Sequence, residues 1–202
     1  GYIAPFVRMN GGDVPPFDFE VAGVWSMSAD LHKYGYCAKG ASTVFFRSEA
    51  LRAHMIFEVG DWPAGKMVTP TLAGTRPGGA IAAAWAVMNV LGVDGYRAKH
   101  AEVTEARQTI GEGTQAQGWR LLGDPQLGIL AFTREDVNPF AVLKHLYGRG
   151  WVTSAVTEPA GLHLMLSPVH KGVADTYLAD LAWATQAARD DGARPAEARY
   201  GG

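Results

Sequence analysis

Lys33 lies in the run Ser28-Ala29-Asp30-Leu31-His32-Lys33-Tyr34-Gly35-Tyr36, with a histidine before it and two tyrosines after it. A strand-like approach containing Val21, Val24 and Trp25 precedes the run. Gly40-Ala41-Ser42 and the strand-like Thr43-Val44-Phe45-Phe46 follow it. The lysine is therefore predicted in a turn between two strands. Crowding and burial at such a place disfavour an ammonium, and a neutral amine is the nucleophile that forms a Schiff base with a carbonyl cofactor. Taken alone, the same residue reads as a solvated lysine in a hairpin loop, which is where most lysines are found.

A second constellation is Gly74-Thr75-Arg76-Pro77-Gly78-Gly79, directly before an apolar stretch. Free backbone N–H groups at a helix start, a hydroxyl and a guanidinium together make an anion site. Glycines let the anion approach the backbone. The competing reading is a capping turn with Arg76 paired to a carboxylate, and the pattern alone favours it. Lys39 stands in a Gly-Ser turn near Lys33, and by itself reads as a solvated loop residue.

The order of these residues adds to the reading. Ser-x-x-Asp-x-His-Lys-Tyr-Gly, followed by Lys39-Gly40-x-Ser42, resembles the cofactor-lysine segment of the pyridoxal-phosphate-dependent decarboxylase superfamily. The likeness is greatest to its sphingosine-1-phosphate lyase branch. The block Thr69-Pro70-Thr71-Leu72-Ala73-Gly74-Thr75-Arg76-Pro77-Gly78-Gly79 is similar to that branch's Pro-Thr-x-Ala-Gly-Ser-Arg-Pro-Gly-Gly block, with Thr75 in place of serine. Gly123-Asp124-Pro125-Gln126 before an apolar strand is a weaker third match. The similarity runs to about Ala188.

The resemblance implies an α/β fold: the C-terminal part of a fold-type I pyridoxal-phosphate transferase-like large domain, plus a small α+β C-terminal domain. The expected division is 1–95 for the large-domain portion, 96–189 for a linking helix and the small domain, and 190–202 for a flexible tail. Lys33 and Lys39 are the implied catalytic residues. Asp30, His32, Lys33, Gly74 and Thr75 are the implied cofactor-binding set, with pyridoxal 5'-phosphate as cofactor and no metal. His32 would contact the cofactor phosphate, and equally reads as a core histidine bonded to backbone. Asp30 also reads as a local turn residue. Tyr34 and Tyr36 read chiefly as packing beside the lysine.

The implied reaction is cleavage of a phosphorylated sphingoid base to a long-chain aldehyde and phosphoethanolamine. An amino-acid decarboxylase on the same scaffold is the first alternative, because the carbanion chemistry is shared. An incomplete, non-catalytic fragment needing an N-terminal half is the second. The family's pyridine-nitrogen aspartate and ring-stacking residues find no match here, so the sequence reads as roughly the second half of a longer enzyme. The family also implies a homodimer with shared sites, in which the glycine-rich block reaches the neighbouring subunit's cofactor phosphate.

Composition narrows the classes. A formal net charge of −2 gives no nucleic-acid footprint. A single cysteine, Cys37, excludes an internal disulfide and a multi-cysteine metal site, and it reads as a small packed residue. The apolar run Ala80 to Leu91 reads as a buried core helix, too short to cross a bilayer. No signal-peptide pattern opens the chain. The Ala/Gly/Arg-rich composition points to a cytoplasmic, bacterial-type soluble form, and an anchor upstream of residue 1, as in eukaryotic members, is left open.

The elements that must position these residues follow from punctuation and periodicity. Gly1 to Phe19 reads as loop, Val21 to Ser28 and Ser42 to Arg47 as strands, and Gly60 to Pro70 as an irregular loop. Gly92 ends the apolar helix, and a second helix runs from about Asp94 to Gln117 with Tyr96, Val103 and Ile110 on one stripe. Trp119 to Leu122, Leu127 to Thr133, Trp151 to Val156 and Leu162 to Ser167 read as strands. Helices are predicted from Asn138-Pro139 to Tyr147 and from Val173 to Arg189. This order predicts a small domain with a largely antiparallel sheet. His54, His100, His145 and His170 read as solvated, and His163 as a buried structural histidine.

Overall fold

The computed structural model describes residues 2–191, and the expected tail beyond them lies outside the described residues. The chain divides into two compact units, Gly1–Arg97 and Ala98–Gly202.

The first unit opens with helix α1 (Ala4–Met9), where a loop was expected. Pro5 stands in its first turn, where a missing N–H costs nothing, and Ile3, Ala4 and Val7 are buried. Phe6 stacks on Tyr96 with ring centroids 5.1 Å apart. Strands β1 (Ser26–Ala29) and β2 (Thr43–Phe46) pair antiparallel, with Ala29 opposite Thr43 at the end nearest the lysine turn. Val21 to Val24 forms turns, so β1 is shorter than expected. Ser48 caps the short helix α2 (Glu49–Ala53) through the Leu51 amide.

A hairpin of β3 (Phe57–Val59) and β4 (Met67–Thr69) replaces the expected irregular loop. Its arms flank the Trp62-Pro63-Gly65 turn, and a Lys66–Glu58 ion pair spans them at 2.5 Å.

The stretch labelled α3 (Gly78–Ala116) holds two helical segments, as expected. Gly92, at φ 57° and ψ −172°, is non-helical and separates them. One apolar stripe near its start, Ala80, Ala84 and Val87, packs on Leu31, Cys37 and Ala41. The expectation of a fully buried helix fails for the rest, since Ile81 and Trp85 are 57% and 69% exposed. By length and composition the α3 stretch taken whole could cross a membrane, but Gly92 interrupts it, and the apolar segment before Gly92 is too short to span a bilayer, as expected.

In the second unit, Val103, Ala106 and Ile110 of α3 are buried. A four-stranded sheet follows in the order β5-β6-β8-β7: β5 (Arg120–Leu121), β6 (Ile129–Thr133), β7 (Ser154–Thr157) and β8 (Ala160–Met165). Every pairing is antiparallel, as the strand pattern predicts. Along β8, Leu162 and Leu164 point into the core while Met165 is exposed and His163 half-buried, which is the period of a one-sided strand. Helix α4 (Pro139–Gly148) starts as expected, its Phe140 amide donating to Asn138 Oδ1 at 2.9 Å. Helix α5 (Val169–Asp190) buries Tyr177, Leu181 and Ala184 and packs against α4, whose Leu146 is fully buried.

Three histidines depart from the solvated expectation. His100 is fully buried. His145 Nε2 meets Asp191 Oδ2 at 2.9 Å. His170 Nδ1 accepts from the Ser167 amide at 3.0 Å.

Candidate cofactor-lysine site

The lysine turn links β1 to β2 and is closed by its own backbone. The Lys33 amide donates to Asp30 O at 3.1 Å, the Tyr36 amide to Lys33 O at 3.0 Å and the Cys37 amide to Leu31 O at 3.0 Å. Gly35 permits this closure. A Cβ there would lie 2.5 Å from the Leu31 carbonyl oxygen. Tyr36 takes φ 57°, a left-handed conformation costing an ordinary residue about 1 kcal/mol or more. Tyr96 supplies the counterweight: its ring stacks on Tyr36 at 6.4 Å and its hydroxyl donates to Gly35 O at 2.9 Å.

The functional side chains project from this frame. Lys33 Nζ lies 2.7 Å from Asp30 Oδ2, forming an ammonium–carboxylate pair. The Asp30 carboxylate also accepts from Ser42 Oγ. These two contacts, Lys33 first, hold the Asp30 carboxyl below the usual carboxylate range. The expected crowding of Lys33 is corrected here: its side chain is 67% exposed, because the elements of this chain flank the turn on one side only.

His32 Nδ1 lies 3.0 Å from the Ala41 carbonyl. A carbonyl only accepts, so that bond places the proton on Nδ1 and leaves Nε2 for another partner. Burial pushes the Tyr34 phenol up to about 12, which keeps it neutral and fits packing. Cys37 is buried with its thiol pushed upward, an inert packed residue as expected.

The glycine-rich block forms an exposed turn before α3. Gly74 adopts φ 62°, which suits glycine. Arg76 Nη2 donates to Thr71 Oγ1 at 2.7 Å, so its observed partner is a hydroxyl and not the carboxylate of the capping-turn reading. Gly40 brings the two constellations together, since a Cβ on it would sit 3.1 Å from Ala80 Cβ and 4.0 Å from Pro77 Cγ. Lys39 is thereby placed, exposed, beside the start of α3. Gly74 and Thr75 are exposed as well, and among the described residues neither hydrogen-bonds to the lysine turn. The structure thus gathers Asp30, His32, Lys33 and Ser42, sets Lys39 at the rim, and leaves Gly74 and Thr75 as a separate exposed loop. Tyr96 and Ser42 were missed as site residues. Ser42 had a signal in its motif position, whereas Tyr96 acts across 61 residues of sequence.

Comparison with known proteins bears on this arrangement. The sphingosine-1-phosphate lyase of Arabidopsis thaliana is 38% identical over 182 residues, covering 90% of this chain and 34% of the relative. A solved sphingosine-1-phosphate lyase from Burkholderia pseudomallei superposes with a TM-score of 0.88 at 35% identity, covering 94% of this chain and 44% of that one. The chain belongs to the sphingosine-1-phosphate lyase-like branch of the pyridoxal-phosphate-dependent decarboxylase superfamily. A probable L-tyrosine/L-aspartate decarboxylase of Methanothermobacter thermautotrophicus, 31% identical over 168 residues, is a further relative, with 46% of its length covered. No protein-family model matches the chain. The chain spans 34% of the length of the lyase relative from Arabidopsis, and what it matches is the C-terminal part of the family.

Pyridoxal 5'-phosphate is the cofactor of this superfamily, and the residues of the lysine turn fit it. A primary amine stands at an exposed apex, held by one carboxylate. Beside it is an imidazole whose Nδ1 is already committed to backbone, so Nε2 is available. Elsewhere, a hollow of about 370 Å³ lies by Gly118, Arg134 and Asp136, and the charges of Arg134 and Asp136 are paired with each other and with Arg189.

Proposed function

We propose that this chain carries the cofactor-lysine portion of a carbon–carbon lyase acting on phosphorylated long-chain amino alcohols and releasing a long-chain aldehyde and phosphoethanolamine. The observation that carries the reading is Lys33 Nζ, 2.7 Å from Asp30 Oδ2 on a turn closed by its own backbone hydrogen bonds. When bound, the cofactor supplies an electron sink for a carbanion at the amine-bearing carbon of the substrate.

The chain's own residues do the rest. Asp30 holds the Lys33 ammonium in place, a role supported by its contacts with Lys33 Nζ and Ser42 Oγ. Lys33 supplies the amine that engages the cofactor's carbonyl carbon once its proton is given up. His32, oriented by Ala41, presents Nε2 toward the cofactor phosphate. Lys39 supplies a cation for the substrate phosphate. Gly74 and Thr75, exposed and without bonds to their own lysine turn, serve the phosphate of a second subunit in a two-fold dimer. A cytoplasmic, bacterial-type setting accompanies this reading.

Decarboxylation of an amino acid is the second reading, favoured by the Methanothermobacter relative. The test adds pyridoxal phosphate and then borohydride, and maps the labelled peptide. Label on Lys33 ahead of Lys39 is expected, and label on Lys39 alone overturns the assignment. Long-chain aldehyde from a phosphorylated sphingoid base separates the lyase from carbon dioxide release on tyrosine, aspartate or glutamate.

A further inference from the structure

The residue pairs of β1 and β2 stop at Ala29 and Thr43. Thr43 Oγ1 donates to Ala29 O at 2.7 Å and finishes the ladder there. Asp30 and Ser42 are the first residues past it, one on each side of the mouth of the lysine turn. A side-chain bond takes the place of the next backbone rung, with Ser42 Oγ donating to Asp30 Oδ1.

The neighbouring contact runs the same way. Ala41 is buried, and its carbonyl lies 3.0 Å from His32 Nδ1. The dipeptide Ala41-Ser42 therefore grips both Asp30 and His32, on the approach to Lys33. Its own place is set by Gly40, at φ 103°, where a Cβ would meet Ala80 Cβ at 3.1 Å.

A carboxylate offers two oxygens and turns readily about its bond to Cβ. With Oδ1 held by the Ser42 hydroxyl, Oδ2 is the oxygen left for Lys33 Nζ. The Lys33 side chain is 67% exposed, so water competes for the ammonium. An exposed ion pair contributes little unless its geometry is held. The charged and titratable groups acting on Asp30 are Lys33 first and His32 least, with the Ser42 hydroxyl between them.

We propose that Ser42 is a positioning residue of this site, which turns the Asp30 carboxylate toward the Lys33 ammonium and so sets where the amine stands. Ser42 acts on Lys33 through Asp30. The inference rests on the reading of Lys33 as the cofactor lysine and adds to it the residue that orients the lysine's anchor.

The experiment uses the 202-residue chain without cofactor or substrate. Its first readout is exchange of the Lys33 ammonium protons with water, followed by nitrogen-15 NMR. Ser42→Ala is expected to speed that exchange about two- to fivefold, the range an exposed ion pair allows. Ser42→Thr keeps the hydroxyl and restores the slow rate. In an Asp30→Asn background, Ser42→Ala has no further effect, because the charge it acts through is gone. The second readout is the Asp30 midpoint from carboxyl-carbon NMR. Ser42→Ala and Lys33→Met each raise it, since each removes a group that favours the charged form. Together they raise it by less than the sum of the two, because Ser42→Ala already removes part of the Lys33 contact.

Strictly additive shifts overturn the proposal, as does Lys33 exchange in Ser42→Ala equal to that of the unaltered chain. An acceleration that persists with Asp30→Asn, or that Ser42→Thr shares, assigns the effect to packing at residue 42 and overturns it too. So does faster amide exchange at Cys37 in Ser42→Ala, which would mean that the whole turn has loosened. None of these outcomes depends on which lysine pyridoxal phosphate labels. Label on Lys39 alone sinks the cofactor-lysine reading, whereas the titration and exchange results decide the role of Ser42.

Discussion

The hydroxyl of Tyr96 donates to the carbonyl of Gly35 at 2.9 Å, joining residues 61 apart in sequence. The same carbonyl lies 3.2 Å from Cys37 Sγ. Gly35 is two residues after Lys33, so this one acceptor fixes the far side of the lysine turn to helix α3. Burial of the Tyr96 ring pushes its phenol strongly upward, keeping the hydroxyl protonated as a donor. The left-handed Tyr36 is held between the Tyr96 ring and the turn's own hydrogen bonds.

Tyr96→Phe keeps the ring stack and removes the donor. Loss of one buried hydrogen bond costs about 1 kcal/mol. Amide exchange at Tyr36 and Cys37 is then expected to speed up about fivefold, as that energy implies. Exchange unchanged in this segment would show that the Cys37 contact and the backbone bonds suffice.

Gly35→Ala tests the closure itself. The added Cβ meets the Leu31 carbonyl oxygen at 2.5 Å and Leu31 Cα at 2.8 Å, both backbone atoms that cannot swing aside. The expected destabilisation of the turn is about 1–3 kcal/mol, the range for overpacking. Lower labelling of Lys33 by pyridoxal phosphate and borohydride, with the second unit's unfolding transition unmoved, is the readout. Wild-type labelling in the variant would refute the claim that the turn sets the lysine.

Much of this site was legible because its information is local. The strand–turn–strand order and the run from Asp30 to Ser42 lie within a few residues of one another. The small domain was legible too, since Asn138-Pro139 caps a helix and β8 alternates. What escaped was nonlocal or a matter of context. Tyr96 showed only as a member of an apolar stripe, with nothing to mark its hydroxyl's partner. The β3–β4 hairpin was hidden by a turn rich in Trp, Pro and Gly and by strands of three residues. Helix α3 near Trp85 was read as buried because an all-round apolar pattern signals burial without saying which polypeptide does the burying.

Asp30 gives a pH prediction. A carboxyl whose folded pKa is depressed adds stability above its unfolded value, and that stability is lost as pH falls through the folded value. The Asp30–Lys33 anchor is therefore complete at neutral pH and is lost in acid, below the ordinary aspartate value of about 3.9. Carboxyl-carbon NMR should place the Asp30 midpoint below that value, and Lys33→Met should raise it. A midpoint at or above the ordinary value in the unaltered chain would contradict the pair.

The second unit offers a packing test. Phe132 is fully buried and meets Trp119 edge-on, with centroids 5.3 Å apart. Phe132→Ala should cost about 3–5 kcal/mol, the range for a truncated core phenylalanine. Urea unfolding followed by helix content and tryptophan emission measures it. A cost under about 1 kcal/mol would place Phe132 outside the cooperative core.

Lys39 offers a test of the proposed substrate class. It is exposed beside Gly40, where the lysine turn meets Pro77 and Ala80 at the start of α3. If it holds the substrate phosphate, Lys39→Ala removes one charge-assisted hydrogen bond, worth about 1.5–3 kcal/mol. In an assembly competent for turnover, kcat/KM on a phosphorylated sphingoid base should then fall about tenfold or more. The unphosphorylated analogue has no such contact to lose and should be nearly unaffected. Lys39→Arg should recover part of the loss, because the cation survives though its geometry changes. An equal fall on both substrates would make Lys39 a proton-transfer or structural residue and remove the charge that favours a phosphorylated substrate over an amino acid.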